Sequence, residues 1–504
     1  MPRFEIEKFG GLSTTLRLSA TDIKKPLSAV YLRDFDIQNG TLVTRPTQEY
    51  ATPNTYVTAG QGGLFVFRNS AGGYKHIMAA GAKLYSAAPT DAAWTEIATG
   101  LTDSLAFEFD VFPISGTQYL LATNGTDAIQ KWNGTDAIAA LGGTPPTGKY
   151  IKAKSNHLFI AGNSTVPNRL YYSALGNAES YPANNYIDVA DSDGDKITGL
   201  ALFHDDLYIF KRRSVYVLSG DSKETFVLRN VFSNIGAVSQ RVICVTPLGL
   251  LWTSDNGVHL YDGGGLTDLH YDIQPYFQNV NSISQLYGTF NYDNAYKACA
   301  VFYNNKYILS PAGLTSAVLM VYDFVEKAWT SYYSTSANAA TPRLKPACFI
   351  VTRTSTTDTR EQVHMLCPKN AGTTMAFSRL NYLGTLYDEL VSQEFMSNII
   401  CPGGEDKFKQ FREMYITGRI YADANTVMTV YIYNEDTSMG TELATLTTAG
   451  LNINSSGDFK LATVKLSLPP AVRGRGIRFY LSIPGGKISE IHKITFSYDV
   501  LGER

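Results

Sequence analysis

The sequence predicts an all-β protein in which a β-propeller of six or seven blades is followed by a C-terminal β-sandwich. The composition points to strands, because only 17% of the 504 residues are charged while 12% are aromatic, and helical surfaces favour Glu, Lys and Arg. A pattern of short apolar strands also recurs along residues 61–400, and longer alternating strands replace it over residues 401–504.

An aromatic residue marks the same point in each copy of the repeat. Successive aromatics are 47, 40, 44, 45, 61 and 55 residues apart. A period of roughly 40 to 50 residues with several short strands is typical of a β-propeller, because each blade covers the faces of its neighbours. The aromatics are Tyr85, Trp132, Tyr172, Tyr216, Tyr261, Tyr322 and, in a weaker seventh copy, Phe377.

Two copies can be divided into strands residue by residue. One contains apolar or alternating segments at 199–203, 207–210, 214–219 and 226–229, separated by short polar turns. The next contains segments at 242–246, 249–253, 257–261 and 267–270. Four strands joined by tight turns predict a meander. Short helices are predicted over 271–277 and around 385–393.

Three regions follow from these patterns. Residues 1–60 form an N-terminal segment that either completes the last blade and closes the ring or lies along a neighbouring subunit. Residues 61–400 form the propeller. Residues 401–504, which begin at a Pro-Gly-Gly linker, carry five long alternating strands and are predicted to form the β-sandwich.

The overall charge excludes a strongly basic nucleic-acid binder. There are 43 Lys and Arg against 45 Asp and Glu, which gives a formal net charge of −2. Without a cationic excess, tight phosphate binding is not expected. No run of 18 apolar residues occurs, so no stable membrane insertion is expected. The five cysteines include no C-x-x-C pair and are expected to be buried thiols in a reducing compartment, with no signal peptide before them.

No catalytic residue, metal site or cofactor is predicted. None of the seven histidines forms an H-x-H or H-x-x-x-H pair. The segment from Asp191 to Asp195 resembles a calcium loop with its glycine misplaced, so a cation and a plain acidic turn remain alternatives. The segment from Ser254 to Gly257 resembles part of the Asp-box of sialidases, which keeps a carbohydrate-cleaving propeller open as an alternative.

Two basic clusters are the candidate contact sites for a DNA channel or an acidic partner. The alternative is that these residues are solvated charges on turns. The candidate residues are Lys211, Arg212 and Arg213 in the first cluster, and Arg473 and Arg475 in the second.

Several segments resemble a known family. Together they are similar to the tail nozzle, or tail tubular, proteins of short-tailed bacteriophages and to the related tail hub proteins described as packaged-DNA stabilisation factors. The resemblance is clearest over residues 200–280 and diffuse over 1–400. The segments are 211–221, 235–237, 249–263, 9–12 and 32–36, with Arg45 after them.

The resemblance implies a structural protein of the virion tail, made in the cytoplasm of the bacterial host. It implies a homo-oligomeric ring, usually a hexamer, below the portal and adaptor, acting as a nozzle or a hub. The ring retains packaged DNA and conducts it on ejection, with genomic double-stranded DNA touched only weakly. Other implied partners are the tail adaptor and a needle, fibre or spike.

The family supplies no catalytic residues. Two alternatives remain open: a propeller that binds or cleaves host surface glycan, and a propeller that acts as a general interaction scaffold.

Overall fold

A computed structural model describes most of the chain. The described residues are 1–14, 26–51, 57–58, 61–91, 93–190, 193–278, 290–312, 318–333, 344–353, 360–369, 374–382, 393–404, 406–421, 428–434, 442–447, 459–483 and 488–503. They are predominantly β-strand. Within these ranges, every helix is too short and too polar to cross a membrane.

The N-terminal segment contains seven short strands. Two of their pairings are local, within the segment, and the others join strands that lie far away in the sequence, as described below. These strands are β1 (Arg3–Ile6), β2 (Phe9–Leu12), β3 (Leu27–Arg33), β4 (Phe35–Gln38), β5 (Thr41–Thr44), β6 (Thr47–Tyr50) and β7 (Val57–Thr58).

Six blades follow, each made of four consecutive antiparallel strands. Blade 1 contains β8 (Gly63–Arg68), β9 (Tyr74–Ala80), β10 (Lys83–Ala87) and β11 (Thr95–Ala98). Blade 2 contains β12 (Glu108–Ile114), β13 (Thr117–Thr123), β14 (Gln130–Trp132) and β15 (Ala139–Ala140). Blade 3 contains β16 (Tyr150–Lys154), β17 (His157–Ala161), β18 (Arg169–Tyr172) and β19 (Tyr186–Asp188).

The other three blades continue in the same order. Blade 4 contains β20 (Ile197–Phe203), β21 (Asp206–Lys211), β22 (Ser214–Ser219) and β23 (Val227–Ser233). Blade 5 contains β24 (Cys244–Thr246), β25 (Gly249–Thr253), β26 (Val258–Tyr261) and β27 (Leu266–Asp268). Blade 6 contains β28 (Cys299–Tyr303), β29 (Lys306–Ser310), β30 (Val318–Asp323) and β31 (Ala328–Tyr333).

A composite sheet lies between blade 6 and blade 1. It contains β32 (Cys348–Arg353), β33 (Glu361–Lys369) and β34 (Thr374–Asn381), and its fourth strand is β6, antiparallel to β34. We call it the closing sheet. The β-propeller prediction is confirmed, with six blades of consecutive strands and the closing sheet in the remaining position of the ring.

The repeat found in the sequence corresponds to one strand of the blade. All seven marker aromatics, from Tyr85 to Phe377, lie on the third strand of their sheets. The seventh copy is weak in the sequence because its fourth strand comes from the N-terminal segment, more than 300 residues away.

Burial follows the position of a strand in its blade. The second strands β17, β25 and β29 are buried along their whole length. The fourth strands β15 and β23 are largely exposed. A second strand is covered on both faces by the adjacent blades, which explains why it is buried at every position instead of alternating between buried and exposed residues.

The five C-terminal strands expected from the sequence are present together with three others, and the sheets that they form include strands of the N-terminal segment. The strands of this region are β35 (Gln393–Ser397), β36 (Lys407–Tyr421), β37 (Thr429–Asn434), β38 (Glu442–Thr447), β39 (Phe459–Ser467), β40 (Arg473–Gly474), β41 (Ile477–Ile483) and β42 (Ile488–Glu503). One sheet has the order β39-β36-β42-β5-β4, with β1 beside β42, and the other continues from β31 through β2, β3, β35, β41 and β37 to β38.

Aromatic side chains from these two sheets share one core. The ring of Phe479 on β41 lies 5.7 Å from the ring of Phe496 on β42, and the ring of Phe411 on β36 lies 6.2 Å from the same Phe496 ring. The core also contains Phe4 and Phe9. The N-terminal segment is therefore buried between elements that are remote from it in the sequence.

Helix is confined to a few turns within the described residues. The predicted helix over 271–277 is confirmed as a 3-10 turn at Tyr271–Ile273 and one α-helical turn, α1 (Gln274–Phe277). The helix predicted around 385–393 lies outside the described residues except for Gln393, which begins β35. Further 3-10 turns lie at Gln240–Val242 and Tyr292–Lys297.

Two buried histidines join blade 1 to the closing sheet. His76 on β9 hydrogen bonds through Nε2 to the Thr352 hydroxyl on β32, at 2.8 Å. His364 on β33 stacks on Phe377, and the two imidazoles are 6.3 Å apart. Burial lowers the pKa of His76 to about 4, against an opposing effect of Asp91. Burial, with smaller effects of His76 and Arg379 in the same direction, lowers the pKa of His364 to about 3, against an opposing effect of the backbone hydrogen bond with Gln362.

We expect acid to open the ring at this junction. An unfolded histidine titrates near pH 6.5, so stability from the neutral imidazoles is complete above that pH and is lost as pH falls towards 4. Each unit of pKa difference corresponds to about 1.4 kcal/mol. The variant His364→Phe keeps the stacking but cannot be protonated, so its unfolding free energy should depend less steeply on pH between 6.5 and 4. Urea unfolding at a series of pH values measures this slope. A slope equal to that of the parent protein would contradict the assignment.

Candidate functional site: the axial cavity

The segments that lead into the first strands surround a cavity of about 560 Å³. This volume is in the range of small-ligand sites. All six blades and the closing sheet contribute to the lining, so the cavity lies on the propeller axis, at the end where the first strands begin. Representative lining residues, one from each sheet in chain order, are Gln61, Glu108, Tyr150, Ile197, Gln240, Lys297 and Ala347.

The guanidinium of Arg241 closes the propeller axis beneath this cavity. Arg241 belongs to the 3-10 turn before β24, in which the Ser239 hydroxyl accepts the Arg241 amide N–H. Its side chain reaches away from blade 5 to the opposite side of the ring. Nε donates to the Glu108 carboxylate at 3.0 Å, on the first residue of β12.

The other four N–H groups of Arg241 donate to backbone carbonyls. Nη1 donates to Gln61 at 3.1 Å and Ala347 at 2.9 Å, and Nη2 donates to Gly62 at 2.5 Å and Phe107 at 3.1 Å. All five donors of the guanidinium are thereby satisfied. One side chain thus connects blade 5 with blade 1, blade 2 and the closing sheet.

The charge on Arg241 is held in place by Glu108. Burial by itself lowers the pKa of the guanidinium, but the Glu108 carboxylate offsets this effect and raises it overall. Both side chains are largely buried, at 12% and 22% exposure. Without Arg241, the Glu108 carboxylate and four carbonyls would each lose one donor in a confined site, which is costly.

Lysines surround the mouth of the cavity. Lys149 and Lys196 are exposed and Lys297 is half-buried. The ion pairs found among the described residues involve none of the three. The Lys297 ammonium lies 5.4 Å from the ring centroid of Tyr296, and Asp293 is the acidic neighbour at the mouth. With Glu108 already paired to Arg241, this arrangement suits a carboxylate or phosphate group.

The three residues of the first basic cluster predicted from the sequence differ in burial and in their partners. The Lys211 ammonium is fully buried and binds both oxygens of Asp193 at 2.6 and 2.7 Å, so its charge is not presented to a partner. Arg212 lines the axial cavity, but its guanidinium is held by Asp255 through two bonds of 2.7 and 2.5 Å. Arg213 is exposed, and its amide donates to Asp195.

The second basic cluster lies in the C-terminal sheets. Arg473 is on β40, which pairs with Lys409 and Gln410 of β36. Its Nε donates to the Pro470 carbonyl at 2.9 Å. Arg475 is also exposed. No contact among the described residues joins these arginines to the 211–213 cluster.

Two short motifs have structural roles here. Asp193, in the segment that resembles a calcium loop, neutralises Lys211, while Asp191 and Ser192 lie outside the described residues. The Asp-box-like segment forms the turn between β25 and β26. There the Asp255 carboxylate binds Arg212 of the β21–β22 turn, so this motif clamps blade 4 to blade 5.

Sequence reasoning did not identify Arg241. It is a single arginine in the loop before β24, and no spacing or repeat marks it. Its partners come from segments near residues 61, 107 and 347, which only the closed ring brings together. The available local signal was weak: a Ser-Gln-Arg turn that begins with a capping serine.

We expect Arg241→Met to destabilise the propeller strongly. Removing one partner of a buried, hydrogen-bonded ion pair costs about 3–5 kcal/mol. The variant Arg241→Lys keeps the charge but has only three donors on a point charge, so its loss should be smaller. In the double variant Arg241→Met with Glu108→Gln, the buried carboxylate is neutralised, and the combined loss should be less than the sum of the single losses. Chemical denaturation of the parent, of the single variants Arg241→Met, Arg241→Lys and Glu108→Gln, and of the double variant measures these losses. A loss below about 1 kcal/mol in Arg241→Met would show that the ring does not depend on this residue.

Comparisons with known proteins add the following. No protein-family model and no curated protein matches the chain. Among solved structures, a chain described as BBS1N in complex with ARL6DN matches with a TM-score of 0.40 and 11% identity, covering 68% of this chain and 97% of that chain. An extracellular domain from B. thetaiotaomicron has a TM-score of 0.43 and 12% identity, covering 76% and 45%. A chain of a mitotic checkpoint complex has a TM-score of 0.40 and 9% identity, covering 67% and 96%.

Proposed function

We propose that the protein is a structural component of a bacteriophage tail. In this proposal identical subunits, six by the family pattern, form a ring below the portal and adaptor, as a nozzle or a hub. The ring retains packaged DNA and conducts it on ejection. We further propose that the two C-terminal sheets form the β-sandwich that accompanies the propeller.

The observation that carries the proposal is the resemblance of residues 211–221 and 249–263 to tail nozzle and hub proteins. In the fold these two segments are neighbours, joined by the Arg212–Asp255 ion pair across the junction of blades 4 and 5. They form part of the framework of the propeller. This placement is consistent with a scaffold family, in which similarity follows blade architecture instead of a reaction.

The closed axis supports a ring of several subunits. Arg241 bridges the propeller axis, and the cavity above it is of small-molecule size. A double helix therefore has no path through a single propeller. If the protein conducts DNA, the channel runs between subunits, as it does in a ring, and a near-neutral chain would grip that DNA weakly.

Ring assembly is the most direct test of the proposal. We expect negative-stain microscopy of the purified protein, alone and mixed with its tail adaptor, to show closed rings, and sedimentation to show a mass that is a multiple of the 55.3 kDa chain. Portal, terminase or capsid genes beside the coding sequence would agree with this outcome. A chain that remains monomeric at high concentration and never joins the adaptor would contradict the tail role.

DNA binding should be weak and should depend on salt. We expect a dissociation constant in the non-specific range of roughly 10⁻⁴ to 10⁻⁶ M at physiological salt. Charge reversal of Arg213, Arg473 and Arg475 to Glu should weaken binding further and reduce its salt dependence. Lys223→Glu, an exposed cation of blade 4 outside the candidate set, serves as the control. Fluorescence anisotropy over a salt series measures both quantities. Equal effects from the control would show that the arginines do not line the DNA path.

A glycan array and a polysaccharide hydrolysis assay distinguish the alternative function. The tail-ring proposal predicts neither selective glycan binding nor turnover. Binding that is lost when the axial-cavity residue Tyr150 is changed to Ala would replace the ring proposal with a carbohydrate-binding propeller.

A further inference from the structure

We propose that His259, Asp268 and His270 form a zinc-binding site at the outer edge of blade 5. One ligand atom from each residue lies within 4.8 Å of the other two. His259 is on β26, and its register partner on β27 is Asp268. His270 follows two residues later, before the 3-10 turn at Tyr271–Ile273. The site is independent of the tail proposal.

Each imidazole is oriented by a hydrogen bond on one of its nitrogens. His259 contacts the Ser254 hydroxyl through Nε2 at 2.7 Å and the Asp268 carboxylate through Nδ1 at 2.6 Å. His270 donates Nδ1–H to the Val258 carbonyl at 3.2 Å, which leaves the lone pair on Nε2. Zinc-binding histidines nearly always hold their second nitrogen in this way, because the outer bond fixes the tautomer and the ring orientation.

A hydrolytic role for the same residues fits less well. Ser254, His259 and Asp268 are connected in the order of a catalytic triad. The Ser254 side chain is buried, however, and its oxygen accepts the Asn256 amide N–H at 3.0 Å within the turn. The hydroxyl is therefore turned into the protein, where it serves as the outer partner of His259.

The presence of His270 distinguishes a metal site from a simple chain of hydrogen bonds between polar side chains. The imidazole rings of His259 and His270 are 5.4 Å apart, and His270 adds no bond to the Ser254–His259–Asp268 chain. Gly257 leaves room for this ring, since a Cβ there would lie 2.1 Å from His270. The turn at Gly257 therefore accommodates the His270 imidazole, which has a ligand nitrogen within 4.8 Å of the Asp268 carboxylate.

The donor set suits Zn²⁺. Two imidazole nitrogens and one carboxylate oxygen are typical zinc ligands, and three protein ligands leave the fourth position to water. The Asp268 side chain is 58% exposed, which provides an entry path and space for that water. On binding, Zn²⁺ takes the place of the proton on His259 Nδ1, and the neutral imidazole carries its one proton on Nε2, where it donates to the Ser254 hydroxyl.

The experiment uses the full chain, produced without a polyhistidine tag and stripped with a chelator. We expect competition with a chromogenic chelator to give one zinc ion per chain. Co²⁺ in place of Zn²⁺ should give the visible absorption of a four-coordinate site. Asp268→Asn and His270→Gln should each weaken zinc binding by at least about 100-fold, and Ser254→Ala, which removes an outer partner, by about 10-fold.

Matched controls separate a site from adventitious binding. His204→Gln changes an exposed histidine of blade 4 and should leave the affinity unchanged. Thermal unfolding of each variant without metal verifies that it folds. Addition of zinc should raise the unfolding midpoint of the parent and of His204→Gln, but not that of His270→Gln. Equal zinc affinity in the parent and in Asp268→Asn, or no four-coordinate cobalt spectrum, would overturn the proposal.

Discussion

The propeller depends on one arginine that connects parts of the ring which the backbone leaves unconnected. Neighbouring blades are joined by chain continuity and apolar packing, but blade 5 has no such connection to the opposite side of the ring. Arg241 makes this connection with five donors in one plane, four of them directed at backbone carbonyls. Lysine could not replace it, because an ammonium has three donors and no planar fork. The position of Arg241 places its guanidinium across the propeller axis, among the residues that line the cavity.

The closing sheet joins the two ends of the propeller. A propeller made of consecutive blades has two free ends, and an unpaired edge between them would expose backbone donors and acceptors. Here β6 from the N-terminal segment pairs with β34, so the two ends of the propeller are held in one sheet. Strand β7 also pairs with β34, while β1 to β5 continue into the C-terminal sheets. The first 50 residues thus join both parts of the molecule, and separating the parts would require breaking strand pairs as well as a core.

Local features of the fold could be predicted from the sequence, whereas its long-range pairings could not. The strands of blades 4 and 5 and the turn at 271–277 follow from alternation, turn residues and apolar runs, all of which act over a few residues. The pairing of β6 with β34 leaves no such trace, since a four-residue strand fits many edges equally well. The same limit applies to the sites. Arg212 was identified by its basic neighbours, but its partner Asp255 is 43 residues away, and His259 and His270 are brought together only by β26 and β27.

Many of the charged side chains in this near-neutral protein pair with one another inside the fold. Lys211, Arg212 and Arg241 are each held by a specific carboxylate, and Lys306 lies between Asp36 and Asp323. These pairs lie at junctions between strands, blades or the N-terminal segment, so a cluster of cations in the sequence does not by itself mark a surface for phosphate. The lysines at the mouth of the axial cavity differ, because their ammonium groups are outside this network. That mouth therefore attracts acidic groups, because Lys149, Lys196 and Lys297 form no ion pair with a carboxylate of the described residues.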